Sequence, residues 1–116
     1  MIALEDLVSL MFPAGLLDYF VVTRVSKIDI GYQVYLEEKK EVPSPYPPGE
    51  YVCHGFHAEQ VVHDFPLRGK VFDLVIKRRR WRHVSTGKVI SRDWDLVARG
   101  SSLSREFSDF LKGTHR

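Results

Sequence analysis

The chain has 116 residues, 44% of them hydrophobic and 28% charged, with a net charge of +2. That leaves room for one hydrophobic core, since domains commonly run about 100–150 residues, and the apolar content excludes long intrinsic disorder. The small net charge conceals segregation: residues 68–99 carry ten Lys and Arg against three Asp and Glu, a local charge of +7, whereas residues 1–67 carry four against ten.

No apolar run approaches the roughly 20 residues of a membrane helix, and the acidic start lacks a signal peptide's basic residues, so a soluble, cytoplasmic chain is expected. Cys53 is the only cysteine, which excludes an intrachain disulfide and an all-thiolate zinc site. His54, His57, His63 and His83 match no standard ligand spacing with it, and no metal or other cofactor is expected.

In chain order, Leu4, Leu7, Val8 and Met11 fall on one stripe at helical spacing. Pro13 opens a second short helical turn, giving an N-terminal helical segment over 3–19. From Phe20 to Lys40 the period becomes two, which predicts a hairpin turning near Ser26–Asp29, its end marked by the charged and solvated run Glu37-Glu38-Lys39-Lys40. Four of the six prolines lie between Pro43 and Pro48, the composition of an extended surface loop. Strands are predicted at about His57–Phe65, Val71–Arg80 and Val89–Val97, before a C-terminal helix over 103–112 capped by Ser104 or a neighbouring serine. The expected fold is α+β: a single domain over 1–116, with a mainly antiparallel sheet of about five strands across 20–97 between the two helical segments.

The candidate site is the segment KRRRWRHVSTGKVISRDWDLVAR, from Lys77 to Arg99. A turn at Thr86-Gly87 places Trp81 opposite Arg92, Arg80 opposite Asp93, Arg79 opposite Trp94 and Arg78 opposite Asp95. Arg78 and Arg80 then acquire carboxylate partners, while Arg79, Trp81, His83, Arg92 and Trp94 form a face without one. Guanidinium forks suit phosphates and indoles stack on bases, so this face points to nucleic acid. Arg78, Arg79, Arg80, Trp81, Arg82, Lys88 and Arg92 are the candidate DNA-binding residues. No nucleophile motif, phosphate-cradling glycine loop or carboxylate triad is present, and no catalytic residue is expected.

The strings HDFPLRGKVFDLVIKRRRW and SRDWDLVARGSSLSREFSDFLK resemble the N-terminal region of insertion-sequence transposases of the ISL and ISAon type. The likeness covers His63–Lys112 and, more loosely, the whole chain. It implies a non-enzymatic accessory region that binds double-stranded DNA and works beside a separate catalytic chain. Many relatives hold zinc on two Cys-x-x-Cys pairs. Here His83 and Thr86 stand at the later pair and only Cys53 near the earlier, so a zinc-ribbon-like hairpin held by packing is expected in place of a metal. The C-terminal helix resembles the start of a helix-turn-helix that longer relatives complete. The rival expectation is a protein-interaction module that docks on the catalytic chain through the acidic half or the proline loop, with little DNA contact. A further rival is single-strand or RNA binding through stacked Trp81 and Trp94.

Overall fold

The computed structural model describes residues 12–67, 69–100 and 105–112. They form an α+β structure with seven strands and three short helices. The helix expected over residues 3–11 and the serine cap of the last helix lie outside the described residues. Two compact units are distinct: Phe20–Arg92, and the described parts of Met1–Tyr19 together with those of Asp93–Arg116.

The first unit contains both sheets. Strands β1 (Phe20–Ile28) and β2 (Gly31–Glu38) make the predicted hairpin, turning at Asp29-Ile30. Strands β4 (Gln60–Leu67) and β5 (Lys70–Lys77) make a second antiparallel hairpin, and β5 joins β2 in parallel, giving the order β1-β2-β5-β4. The alternation in β2 and β5 explains this arrangement: Val34, Leu36, Leu74 and Ile76 are at most 2% exposed, and β5 is buried on both faces from Asp73 to Ile76. A central strand buried on both sides is what parallel pairing demands. Each such side chain contributes about 1.5–3 kcal/mol of transfer free energy. At the start of this pairing Gly31 lies so close to β5 that a β-carbon would run into the Val71 backbone.

The second sheet has the order β3-β6-β7, from β3 (Tyr51–Phe56), β6 (Arg79–His83) and β7 (Val89–Ile90). It corrects three expectations. The strand expected at His57–Phe65 is β4, which starts later, at Gln60, and β3, in the other sheet and separated from it by residues 57–59, is an additional strand that the sequence reading did not place. The strand expected at Val71–Arg80 breaks at Arg78, whose carbonyl accepts the His57 N–H at 2.9 Å where the chain passes from one sheet to the other. The strand expected at Val89–Val97 ends at Ile90, because Asp93 accepts the Leu96 N–H at 3.2 Å and so caps a helix.

In the other unit, α1 (Leu16–Tyr19) follows a turn in which the Leu16 N–H donates to the Pro13 carbonyl at 3.1 Å. Helix α2 (Trp94–Gly100) packs with α3 (Arg105–Leu111). Trp94 is buried and meets the Tyr19 ring edge-on at 5.8 Å. The proline segment is less uniformly extended than its composition suggests: Ser44-Pro45 is cis, the Tyr46 N–H bonds to the Pro43 carbonyl at 3.0 Å, and Pro48–Glu50 forms a 3-10 turn. No helix among the described residues is long and apolar enough to cross a membrane.

Candidate nucleic-acid interface

The basic segment forms a hairpin, but in a different register from the expected one. Trp81 pairs with Ile90 and Arg82 with Val89, so the partner strand has slipped by two residues and stops before Arg92. The turn between them is held by His83. Its Nδ1 accepts the N–H groups of Ser85 and Thr86, both at 3.2 Å, and its Nε2 meets Glu50 Oε1 at 3.0 Å. His83 is therefore a turn cap and not part of a ligand face.

A slip of two preserves the alternation of side chains, and β6 still divides into odd and even sides. The odd side turns inward. Trp81 is 4% exposed and Ile90, opposite it, 7%. The Arg79 N–H donates to Glu38 Oε1 at 3.0 Å and Arg79 Nε to the Glu38 carbonyl at 2.7 Å. Arg92 Nε donates to the remaining carboxylate oxygen, Oε2, at 3.0 Å, and Arg92 Nη2 to the Glu41 carbonyl at 3.3 Å. The Arg79 guanidinium also lies over the Phe56 ring, 4.7 Å from its centroid. Trp94 belongs to α2 and is absent from this ribbon.

Glu38 is thus the organising residue, and the expectation of a solvated strand end is corrected: its side chain is 1% exposed. Burial holds its carboxyl above the ordinary glutamate value, against the lowering pull of the Arg79 amide and the Arg92 and Arg79 guanidiniums. The sequence carried a signal for this, since Val34, Leu36 and Glu38 share one face of β2 by period two.

The even side differs. Arg82 is flanked across the sheet by Val52 and Val89, which are 39% and 44% exposed. Lys88 is exposed near the hairpin's tip. Arg78, Arg80, Arg82 and Lys88 form no ion pair among the described residues. The expected strand positions of Asp93 opposite Arg80 and Asp95 opposite Arg78 are corrected: β7 ends at Ile90, and Asp93 caps α2. Burial lowers Arg78 from the usual guanidinium range, while Glu38 pulls the other way. Side-chain Nε atoms of both Arg78 and Arg80 are buried without a hydrogen-bond partner.

His57, which matches no metal-ligand spacing in the sequence, closes this side. Its Nε2 lies 2.6 Å from Ser91 Oγ. Burial, then Arg78 and Arg80, push the imidazole below its ordinary value. Gly55, at φ +71°, forms a β-bulge at which a β-carbon would touch Arg80 Nη2 at 3.5 Å.

The remaining polar groups are dispersed. His63 Nδ1 meets Asp73 Oδ1 at 2.9 Å, and Cys53 is exposed with Arg79 Nη1 3.9 Å away. Among the described residues, no group of three or more His, Cys, Asp or Glu is placed to hold a metal. A groove on the first sheet, of about 320 Å³, mixes Glu37 and Glu59 with Arg24 and Lys77 and includes none of the candidate DNA-binding residues. Comparison with protein-family models, curated proteins and solved structures finds no match.

Proposed function

We propose that the chain is a non-catalytic DNA-binding region that holds duplex phosphates on the even side of the basic hairpin, through Arg80, Arg82 and Lys88 with Arg78 behind them. The observation that carries this reading is the absence of ion pairs at these four cations among the described residues, while Arg92 pairs with the Glu38 carboxylate and the Arg79 guanidinium donates to the Glu38 carbonyl. Cations with no carboxylate partner raise the local potential and draw in a polyanion. Placing the activity in a transposase, beside a separate catalytic chain, rests on the sequence resemblance alone.

The test is fluorescence anisotropy with duplex DNA across a salt series. Four neutralised phosphates give a slope of log affinity on log salt of about −3 to −4. Arg80→Gln/Arg82→Gln/Lys88→Gln should flatten that slope by about 2 to 3. A salt-insensitive interaction sinks the reading.

One observation favours a second reading, a protein-interaction module: β1 is an edge strand, with Val21, Val22 and Val25 39–58% exposed. Unchanged duplex affinity in the triple variant would favour it.

A further inference from the structure

Two arginines side by side on a surface normally spread into water. Arg78 and Arg80 do not. The Nε of each is shut away from solvent without an acceptor. The Arg78 carbonyl is tied to the His57 amide at 2.9 Å, and Arg80 Nη2 lies beside the Gly55 bulge, two residues before His57. The His57 ring is in turn held at 2.6 Å from Ser91 Oγ, next to the end of β7. Three elements therefore converge: the β3–β4 connection, the crossing at Arg78 with the start of β6, and the end of β7.

The charge in this cluster has one sign. His57 is repelled by both arginines, and the carboxylate that acts on Arg78 is Glu38, which Arg79 and Arg92 already share. Half-dehydrated cations held together without an anion are unfavourable by themselves. A bound anion reverses each cost: it supplies acceptors to the guanidinium forks and converts the repulsion on His57 into attraction.

We propose that Arg78, Arg80 and His57, with Ser91 holding the imidazole, form a discrete seat for one phosphate group. It deepens the DNA-binding reading and rests on that reading for the source of the phosphate, either a backbone diester or a terminal monoester. Two permanent positive charges and a titratable third suit a dianion, which among nucleic-acid groups is the terminal monoester.

The test follows the imidazole carbon and proton resonances of His57, assigned by comparison with His57→Gln, as sodium sulfate is added at constant ionic strength. Sulfate is used first because it stays a dianion throughout the pH range; inorganic phosphate follows. The expected result is a saturable shift of His57 and a rise in its titration midpoint when the anion is bound, because the groups facing it, Arg78 and Arg80, then have a counter-charge. Arg78→Gln and Arg80→Gln should each weaken sulfate about tenfold or more, whereas Lys70→Gln, a charge-matched change elsewhere, should not. Proton spectra of each variant verify the fold, and Arg80→Lys should retain part of the response.

Duplexes with and without terminal phosphates separate the two sources. A preference for the phosphorylated ends that is lost in Arg80→Gln identifies the monoester; equal binding, with the His57 shift still present, identifies the diester. Duplex binding with no saturable response at His57 overturns the seat and leaves the surface reading standing. A saturable response without duplex binding upholds the seat and removes the surface reading. A response that persists in Arg78→Gln/Arg80→Gln also overturns it.

Discussion

Arg79 and Arg80 are adjacent in sequence, and β6 sends them to opposite fates. Arg79 and the other odd positions face inward, where Trp81 packs against Ile90 and Glu38 receives both Arg79 and Arg92. Arg80 and Arg82 face the side where Val52 and Val89 stay exposed and no carboxylate pairs with them among the described residues. The lesson is that a run of arginines is not one site. Period-two geometry divides it into residues that assemble the ribbon and residues that the ribbon presents.

The strongest way to break this division is to remove the anchor. Glu38→Ala deprives the Arg92 guanidinium and the Arg79 backbone N–H of their carboxylate acceptor, and the loss of one partner from a buried ion pair costs about 3–5 kcal/mol. Urea unfolding would measure it. A loss within about 0.5 kcal/mol would mean that the two arginines find solvent or other acceptors, and that Glu38 organises nothing.

The arginines themselves sharpen the contrast. Arg79→Gln removes a charged donor from a buried acceptor and should lower stability by about 1.5–3 kcal/mol. Arg82→Gln should change stability by no more than about 0.5 kcal/mol, yet weaken duplex DNA and reduce the salt slope by about 0.9. The informative measurement is the pair, unfolding and anisotropy on the same two proteins. If Arg79→Gln is the one that loses DNA without losing stability, the two sides of β6 have been assigned the wrong way round.

Much of this was written in the sequence at the level of pattern. The segregated charge, the first hairpin and the odd-even division of residues 79–83 all follow from composition and alternation, which are local. What failed was register, pairing and the choice of face, since the odd residues expected to carry the ligand are the ones that turn inward. Nothing near Trp81 says that its partner is Ile90 and not Arg92, because a two-residue slip leaves every side chain on the same side. Asp93 was read as a strand residue, although an Asp followed by the apolar Leu96 and Val97 equally well starts a helix. The largest miss was Glu38. Charged neighbours, Glu37, Lys39 and Lys40, gave it the look of solvent, while its spacing from Val34 and Leu36 placed it in the core. Its partners are 41 and 54 residues away, beyond the reach of any local pattern.

Glu38 also makes the division sensitive to pH. Because burial raises its carboxyl above the ordinary value of 4.5, the folded chain holds this proton more firmly than the unfolded chain does. The stability that this group contributes is complete below the ordinary value and is lost as pH rises through the raised one. Glu38→Gln is uncharged throughout and lacks this dependence. Measured by urea unfolding in steps from pH 4.5 upward, the stability of the wild type relative to Glu38→Gln should decline across the window and then level off. A relative gain over the same range would show that Arg79 and Arg92 outweigh burial.

The smallest expected effect concerns the hairpin's tip. His83 lies on the inward side of β6, and its imidazole accepts two backbone N–H groups that the turn otherwise leaves without a partner, while Glu50 holds the other nitrogen. The Tyr51 ring meets it edge-on at 5.1 Å, fixing the ring plane. His83→Ala removes those acceptors without touching Arg80, Arg82 or Lys88, and should cost about 0.5–1.5 kcal/mol. Hydrogen exchange should accelerate at Ser85 and Thr86 ahead of the strand amides. Because the cations remain, the salt slope for duplex DNA should persist even as the turn loosens. A loss of DNA binding as large as that of the triple variant would show that the turn's conformation, and not charge alone, is what a duplex requires.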